Sequence, residues 1–280
     1  MSRIDVMKTY KLFINGSFPR GESGRVYEVR DSKGKFLANP CQASRKDLRE
    51  AVVAARAAQT GWVSSTAYLC GQILYRVAEI MESRKVEFVN AIVASEGKSQ
   101  AVAASEVNEA IDLWVWYAGW SDKISTIAGS TNQVSGPFYN FTTPEAVGVV
   151  SIFASDKAPL VSLVSALGGV LASGNTAVLI APEKSPLTAI ALAEVLATSD
   201  VPAGVVNILT GKSSELVQWV GSHMDIDAVD VSGLNKKQES EVRIAGADNL
   251  KRIHRFTEVR TPQRILAFVE NKTVWHPIGI

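Results

Sequence analysis

With 280 residues, 46% of them hydrophobic and 8% aromatic, the chain can bury a large core and has an ordinary globular composition. A formal net charge of +1 gives no electrostatic reason to expect nucleic acid or an acidic membrane surface as a partner. The two cysteines, Cys41 and Cys70, form neither a disulfide framework nor a metal-ligand spacing, and His223, His254 and His276 stand alone.

The opening MSRIDVMKTY lacks a signal-peptide core, and no apolar run is long enough to span a bilayer, so a cytoplasmic protein without a membrane segment is expected. Lys11-Leu12-Phe13-Ile14-Asn15-Gly16 reads as a strand closing in an Asn-Gly turn. Ser44 can cap a helix that reaches about Ala58, with Asp47 in its first turn and Leu48, Val52 and Ala55 on one apolar face. Trp62 follows, then a helix from about Leu69 to Glu82 with Leu69, Ile73, Val77, Ile80 and Met81 on its buried stripe and Cys70 beside it. Cys41 falls in a polar loop with no histidine or basic cluster near it in sequence, so nothing visible would lower its pKa.

Helices are expected from about Val86 to Ser95, stopping at Glu96-Gly97-Lys98, and from about Ala101 to Lys123. In the second, no basic residues interleave Trp114, Trp116, Tyr117 and Trp120, which reads as helix packing or subunit contact rather than a stacking platform. Gln133 to Thr143 (QVSGPFYNFTT) alternates as an exposed strand would, and an unpaired edge of that kind invites association.

Five elements then follow in strand-helix order. Val147 to Phe153 is a short β-branched run suited to a strand buried on both faces. Leu160, Leu163, Val164, Leu167, Val170 and Leu171 keep helical spacing until Ser173-Gly174-Asn175. Thr176 to Ala181 is a second strand, and Ser185 with Pro186 opens a second helix. Val201-Pro202-Ala203-Gly204 turns into a third strand, Val205 to Leu209. Ala228 to Val231 makes a fourth, and a polar helix from about Lys237 to Ile253 leads to RILAFVENKTVWHP at Arg264 to Pro277. The fold expected is α/β, a Rossmann-like doubly wound parallel sheet with right-handed crossovers and an extended β arm.

The segments Pro144-Glu145-Ala146-Val147-Gly148-Val149-Val150, Gly174-Asn175-Thr176-Ala177-Val178-Leu179 and Pro202-Ala203-Gly204-Val205-Val206-Asn207 stand in the order and spacing of the aldehyde dehydrogenase superfamily, which the chain resembles. Phe13-Ile14-Asn15-Gly16 and Tyr117-Ala118-Gly119 are similar to family segments as well. The resemblance implies a cofactor-binding domain over residues 1–132 and 144–255. It further implies an oligomerisation arm at 133–143, joined by a C-terminal strand within 264–280. The implied reaction is thiolate attack on an aldehyde, hydride transfer to NAD or NADP, and thioester hydrolysis by a glutamate-activated water.

The residues that carry this chemistry depart from the family pattern. The oxyanion-donating Asn of P-W-N-F-P falls at Lys157, read as a surface or loop charge. The ribose-binding Lys of K-P-S-E falls at Ile180, which leaves Glu183 as the one acidic candidate for a ribose hydroxyl. Ser232-Gly233 keeps the turn that brings backbone N–H groups to a pyrophosphate, but Leu234 and Gln238 replace the later Ser and Gly. No E-L-G-G-K or E-x-F-G-P run occurs after Gly233, and no cysteine after Cys70.

A pseudoenzyme whose catalytic domain has been removed from the interior is therefore the expectation. It would bind as a homo-oligomer or as a hetero-oligomer with a full-length aldehyde dehydrogenase, and its degenerate cofactor positions are Glu183, Ser232 and Gly233. The alternative is an NAD(P)-dependent oxidoreductase that oxidises an aldehyde to a carboxylic acid, with a displaced nucleophile such as Cys70 or residues lent by a partner.

Overall fold

The computed structural model describes residues 7–279. Residues 1–6, part of the stretch read as having no signal peptide, and Ile280 lie outside them. The predicted Asn-Gly turn forms with positive φ at Asn15 (51°) and Gly16 (71°), and Ile14 bridges Ser17 across it. Phe13 exchanges backbone bonds of 2.9 and 2.7 Å with Ile208, which ties this segment antiparallel to the edge of the main sheet.

A small antiparallel pair, β1 (Val29–Arg30) and β2 (Phe36–Ala38), precedes four long helices. Helix α1 (Arg45–Val63) has the predicted Ser44 cap, closed as a capping box by Asp47, and runs on far enough to include the buried Trp62. In α2 (Ala67–Ser83) the packed stripe is Cys70, Ile73, Leu74, Val77, Ala78 and Met81. Leu69, one position off that stripe, is exposed, and Cys70, read as lying beside the stripe, takes the core place expected of Leu69. Helix α3 (Lys85–Glu96) stops at Gly97 in the left-handed conformation, as expected. The single helix predicted to Lys123 divides at Gly119 into α4 (Gln100–Ala118) and α5 (Ile124–Ala128). Trp114 and Tyr117 are fully buried.

Strands β3 (Ser130–Asn132) and β4 (Phe138–Ala146) leave the body of the molecule, so the predicted arm strand begins later and runs further than 133–143. The sheet core follows as β5 (Val149–Phe153), α6 (Pro159–Ala172), β6 (Thr176–Ile180), α7 (Leu187–Leu196) and β7 (Val206–Leu209). Ser185 is buried and makes no cap bond to α7, because the helix begins one turn position later with Pro186 ahead of it. Next come α8 (Ser213–Ser222), β8 (Ala228–Asp230) and α9 (Lys236–Ala245). The polar helix predicted to Ile253 ends at Gly246, and after a short turn Arg252–His254 is a fifth parallel strand, β9. A one-turn helix α10 (Gln263–Leu266) occupies the start of the stretch read as C-terminal strand, and β10 is Val269–Pro277.

The strand order is β7-β6-β5-β8-β9, with every neighbour parallel. From β5 the chain winds outward through β6 and β7, then returns to β8 and β9 on the other side, so the topological switch point falls between the carboxyl ends of β5 and β8. One core lies under α2, α3, α4, α6 and α7, and a second under α1, α8 and α9 on the opposite face. Separately, β10 pairs antiparallel with all of β4, from Val269 opposite Ala146 to Pro277 opposite Phe138.

Two details set these layers. Asn175, fully buried, accepts from Gly148 N (2.7 Å) and donates to Ser173 Oγ and Phe268 O (both 2.8 Å), clamping the start of β5 to the segment before β10. Gly168 and Gly169 sit inside α6 at close contacts. A Cβ would meet the Tyr117 ring at 2.2 Å in one case and the Arg264 carbonyl at 2.8 Å in the other.

Candidate functional site

In a sheet of this winding, ligands sit beyond the carboxyl edge at the switch point, where the predicted cofactor residues belong. Glu183 follows β6 there and is exposed. Ser232 and Gly233 form the turn after β8, with Gly233 N donating to Phe153 O (2.9 Å). Gly233 is required for that approach, since a Cβ would lie 2.2 Å from the Ala154 carbonyl oxygen. Lys157 lies in the loop after β5 and is exposed. Ile180, at the position the resemblance gives to a ribose-binding lysine, is buried in the core beneath α1 and α8.

The turn after β8 is already bonded internally. The Ser232 hydroxyl donates to Asp230 Oδ1 (2.5 Å) and accepts from Phe256 N (2.9 Å). Arg255 straps the same turn, reaching Ser232 O (3.2 Å), Leu234 O (2.7 Å) and Glu239 Oε2 (2.7 Å). Behind it, Asp230 Oδ2 meets Arg264 Nη1 at 3.0 Å in a buried ion pair, and the Arg264 guanidinium lies 4.6 Å from the centre of the Phe256 ring. Gln238 does not merely crowd the entry to α9. Its side chain accepts from Asn235 N (3.2 Å) while Asn235 Oδ1 accepts from Gln238 N (3.0 Å), a capping box that uses donors a phosphate would otherwise take.

The other helix entering this edge, α6, carries a carboxylate at its N-terminus. Glu106, buried on α4, accepts from Leu160 N (3.1 Å), and its second oxygen meets Lys98 Nζ at 2.5 Å. Lys98 also bridges to Glu96 (2.7 Å), whose carboxyl pKa is raised by burial against the opposing Lys98 bond. An anion arriving at α6 would find the helix dipole already answered by a negative charge.

Tyr27 brings a different group to the edge. Its phenol pKa is raised by burial and by the nearby Glu183 carboxylate, against an opposing interaction with the Gly211 backbone, and no side chain bonds its buried hydroxyl. Both cysteines are buried. Cys70 lies in the α2 layer with its thiol pKa raised by burial. Cys41 is not in an open loop but buried, because its backbone accepts from Thr210 Oγ1 (2.6 Å), donates to Tyr10 O (3.1 Å) and bridges Val26. His276 is exposed on β10, while His254 stacks on Phe256 with its pKa lowered by burial. Among the described residues, no group of three or more His, Cys, Asp and Glu side chains is arranged to hold a metal, and no helix is long and apolar enough to cross a membrane.

The Asp230, Arg255, Phe256 and Arg264 network escaped the sequence reading. Its one visible signal was the Gly168-Gly169 pair within an otherwise strong helix, which marks a close approach by another segment. An NAD or NADP molecule fits this edge poorly. Of the contacts the resemblance implies, Glu183 stands alone, the Ser232 hydroxyl is engaged on both sides, and both helix N-termini are occupied.

The sheet and its crevice define a doubly wound dinucleotide-binding architecture. The chain matches the aldehyde dehydrogenase family over residues 18–268. It is 31% identical to an aldehyde dehydrogenase of Aspergillus niger over 274 residues, 96% of this chain and 54% of that protein. It is 30% identical to the omega-crystallin of Enteroctopus dofleini over 251 residues, 88% of this chain and 50% of that protein. The solved NAD+ complex of an aldehyde dehydrogenase from Bacillus cereus, 29% identical, superposes with a TM-score of 0.82 over 88% of this chain and 50% of that one. The chain belongs to the aldehyde dehydrogenase family and spans about half the length of the curated relatives it matches.

Proposed function

We propose that this chain is a non-catalytic aldehyde dehydrogenase relative that serves as a structural or regulatory subunit, in an assembly with itself or with a full-length aldehyde dehydrogenase. One observation carries the reading: at the switch point, Glu106 holds the N-terminus of α6 and the Asn235–Gln238 box holds that of α9, while the thiols of Cys41 and Cys70 are both buried. Acyl transfer through a thioester needs a thiolate, an oxyanion donor and a base within reach of one carbon. The open edge that β10 leaves beside β4, among the described residues, supports assembly instead. Co-expression of the tagged chain with a full-length relative from the same cell, followed by pull-down and mass measurement, tests the mixed assembly. A shared complex supports it, and separate species overturn it.

A second reading, nucleotide binding without chemistry, draws on the buried Tyr27 hydroxyl beside Glu183, which no side chain bonds. Calorimetric titration with NAD and NADP decides this. Heat that disappears in Tyr27→Phe supports a sensor, and no heat at millimolar ligand removes it. The alternative of aldehyde oxidation to a carboxylic acid predicts reduced nicotinamide from the purified chain and loss of that activity in Cys70→Ala.

A further inference from the structure

The outer edge of β10 can be read from its hydrogen-bond parity. Val147 N donates to Phe268 O (3.3 Å) and Ile278 N to Pro137 O (2.8 Å), at the two ends of the β4–β10 register. Bonded pairs in an antiparallel ladder recur at every second residue, so Glu270, Lys272, Val274 and His276 face β4 with their backbone groups. Asn271, Thr273 and Trp275 turn theirs outward, where no strand pairs among the described residues. Both ends of this free stretch are closed. The Val269 carbonyl already accepts from Arg252 Nη1 (2.9 Å), and Pro277 has no N–H.

We propose that a second copy of this chain covers the edge, β10 against β10′ antiparallel about a two-fold axis at Thr273, giving one continuous sheet in the order β3-β4-β10-β10′-β4′-β3′. The proposal rests on the reading of the chain as an assembling subunit and names the edge and register it uses. Centred on Thr273, the pairing sets Thr273 opposite Thr273′ and Asn271 opposite Trp275′, so every outward residue of the free stretch finds a partner. Moving the axis to Asn271 or to Trp275 would bring in the blocked Val269 carbonyl or Pro277.

Charge agrees with this choice of occupant. Glu270 falls opposite His276′ and Lys272 opposite Val274′, so no like charges face each other across the new ladder. The pairing also brings the two arms side by side, with Trp275 (57% exposed) and Phe138 (39%) on one face of the joined sheet and Tyr139 (47%) and Val274 (39%) on the other.

Sedimentation equilibrium of the chain and of Thr273→Pro tests this. The Thr273 N–H faces away from β4, so proline there leaves the monomer's own ladder intact and deletes the centre of the intermolecular one. The expected result is a wild-type dimer and a variant whose dissociation constant is raised by about 100-fold or more, with unchanged circular dichroism. On the axis the two Cα atoms would lie about 5.5 Å apart, within disulfide reach, so Thr273→Cys is expected to give a covalent dimer on mild oxidation, with Cys41 and Cys70 protected by burial. An oligomer that Thr273→Pro leaves unchanged overturns the edge and leaves the subunit reading standing. So does a monomeric chain that a full-length relative still captures. A monomer that nothing captures overturns both.

Discussion

Replacing Arg264 with Met keeps most of the side-chain volume and removes its charge. Arg264 and Asp230 have side-chain exposures of 6% and 1%, so the carboxylate would be left out of water with only the Ser232 N–H and O–H as donors. Leaving one member of a buried pair uncompensated costs about 3–5 kcal/mol. Contact of the guanidinium with the Phe256 ring and its bond to Glu258 O (2.9 Å) are lost within the same figure, since coupled interactions do not add. Urea denaturation followed by tryptophan fluorescence would measure the loss. The double variant Asp230→Asn/Arg264→Met is expected to fall short of the summed single losses by about 1–3 kcal/mol. A single loss under about 1 kcal/mol, or additive singles, would refute the claim that this pair anchors the segment after β9 to the sheet.

Asn175→Ala removes three buried bonds at once and is expected to cost about 2–4 kcal/mol by the same assay, with the partner groups Gly148 N and Phe268 O left unsatisfied. Lys251 donates to the carbonyls of His223 and Ile226, and burial lowers its pKa from 10.5 to about 8. The unfolded chain therefore binds the extra proton between these values, so stability should rise with pH across that window, and Lys251→Met should flatten the slope. Alkylation with iodoacetamide at neutral pH should leave both thiols of the native chain unmodified until denaturant is added, because both are buried. Rapid labelling of Cys70 in the native state would contradict that placement.

The parallel core was legible because its signals are local. β-branched runs at Val149–Phe153 and Thr176–Ile180 and the stop at Ser173-Gly174-Asn175 need no distant partner to be recognised. What escaped was set by long-range contacts. β9 is the three residues Arg-Ile-His, too short and polar to show a pattern, and it becomes a strand only by lying along Ala228–Asp230. Cys41 read only as a residue of a polar loop because its burial comes with contacts to Tyr10 and Thr210, far away in the chain.

At the site, the losses at Lys157 and Ile180 could be read by position alone. Their replacements could not. Glu106 reaches α6 from another helix, and Arg264 reaches Asp230 across an intervening strand and turn, neither with any spacing that sequence reveals. Gln238 was legible as a change from glycine, but its role in the α9 capping box depends on the Asn235 side chain turning back to meet it.

The proposed non-catalytic role rests on the two thiols among the described residues, Cys41 and Cys70, both being buried. Absorbance of reduced nicotinamide, followed with the purified chain, NAD or NADP and a panel of aldehydes, tests it most directly. The account predicts no reduction above the protein-free control. Sustained reduction that vanishes in Cys70→Ala would contradict it.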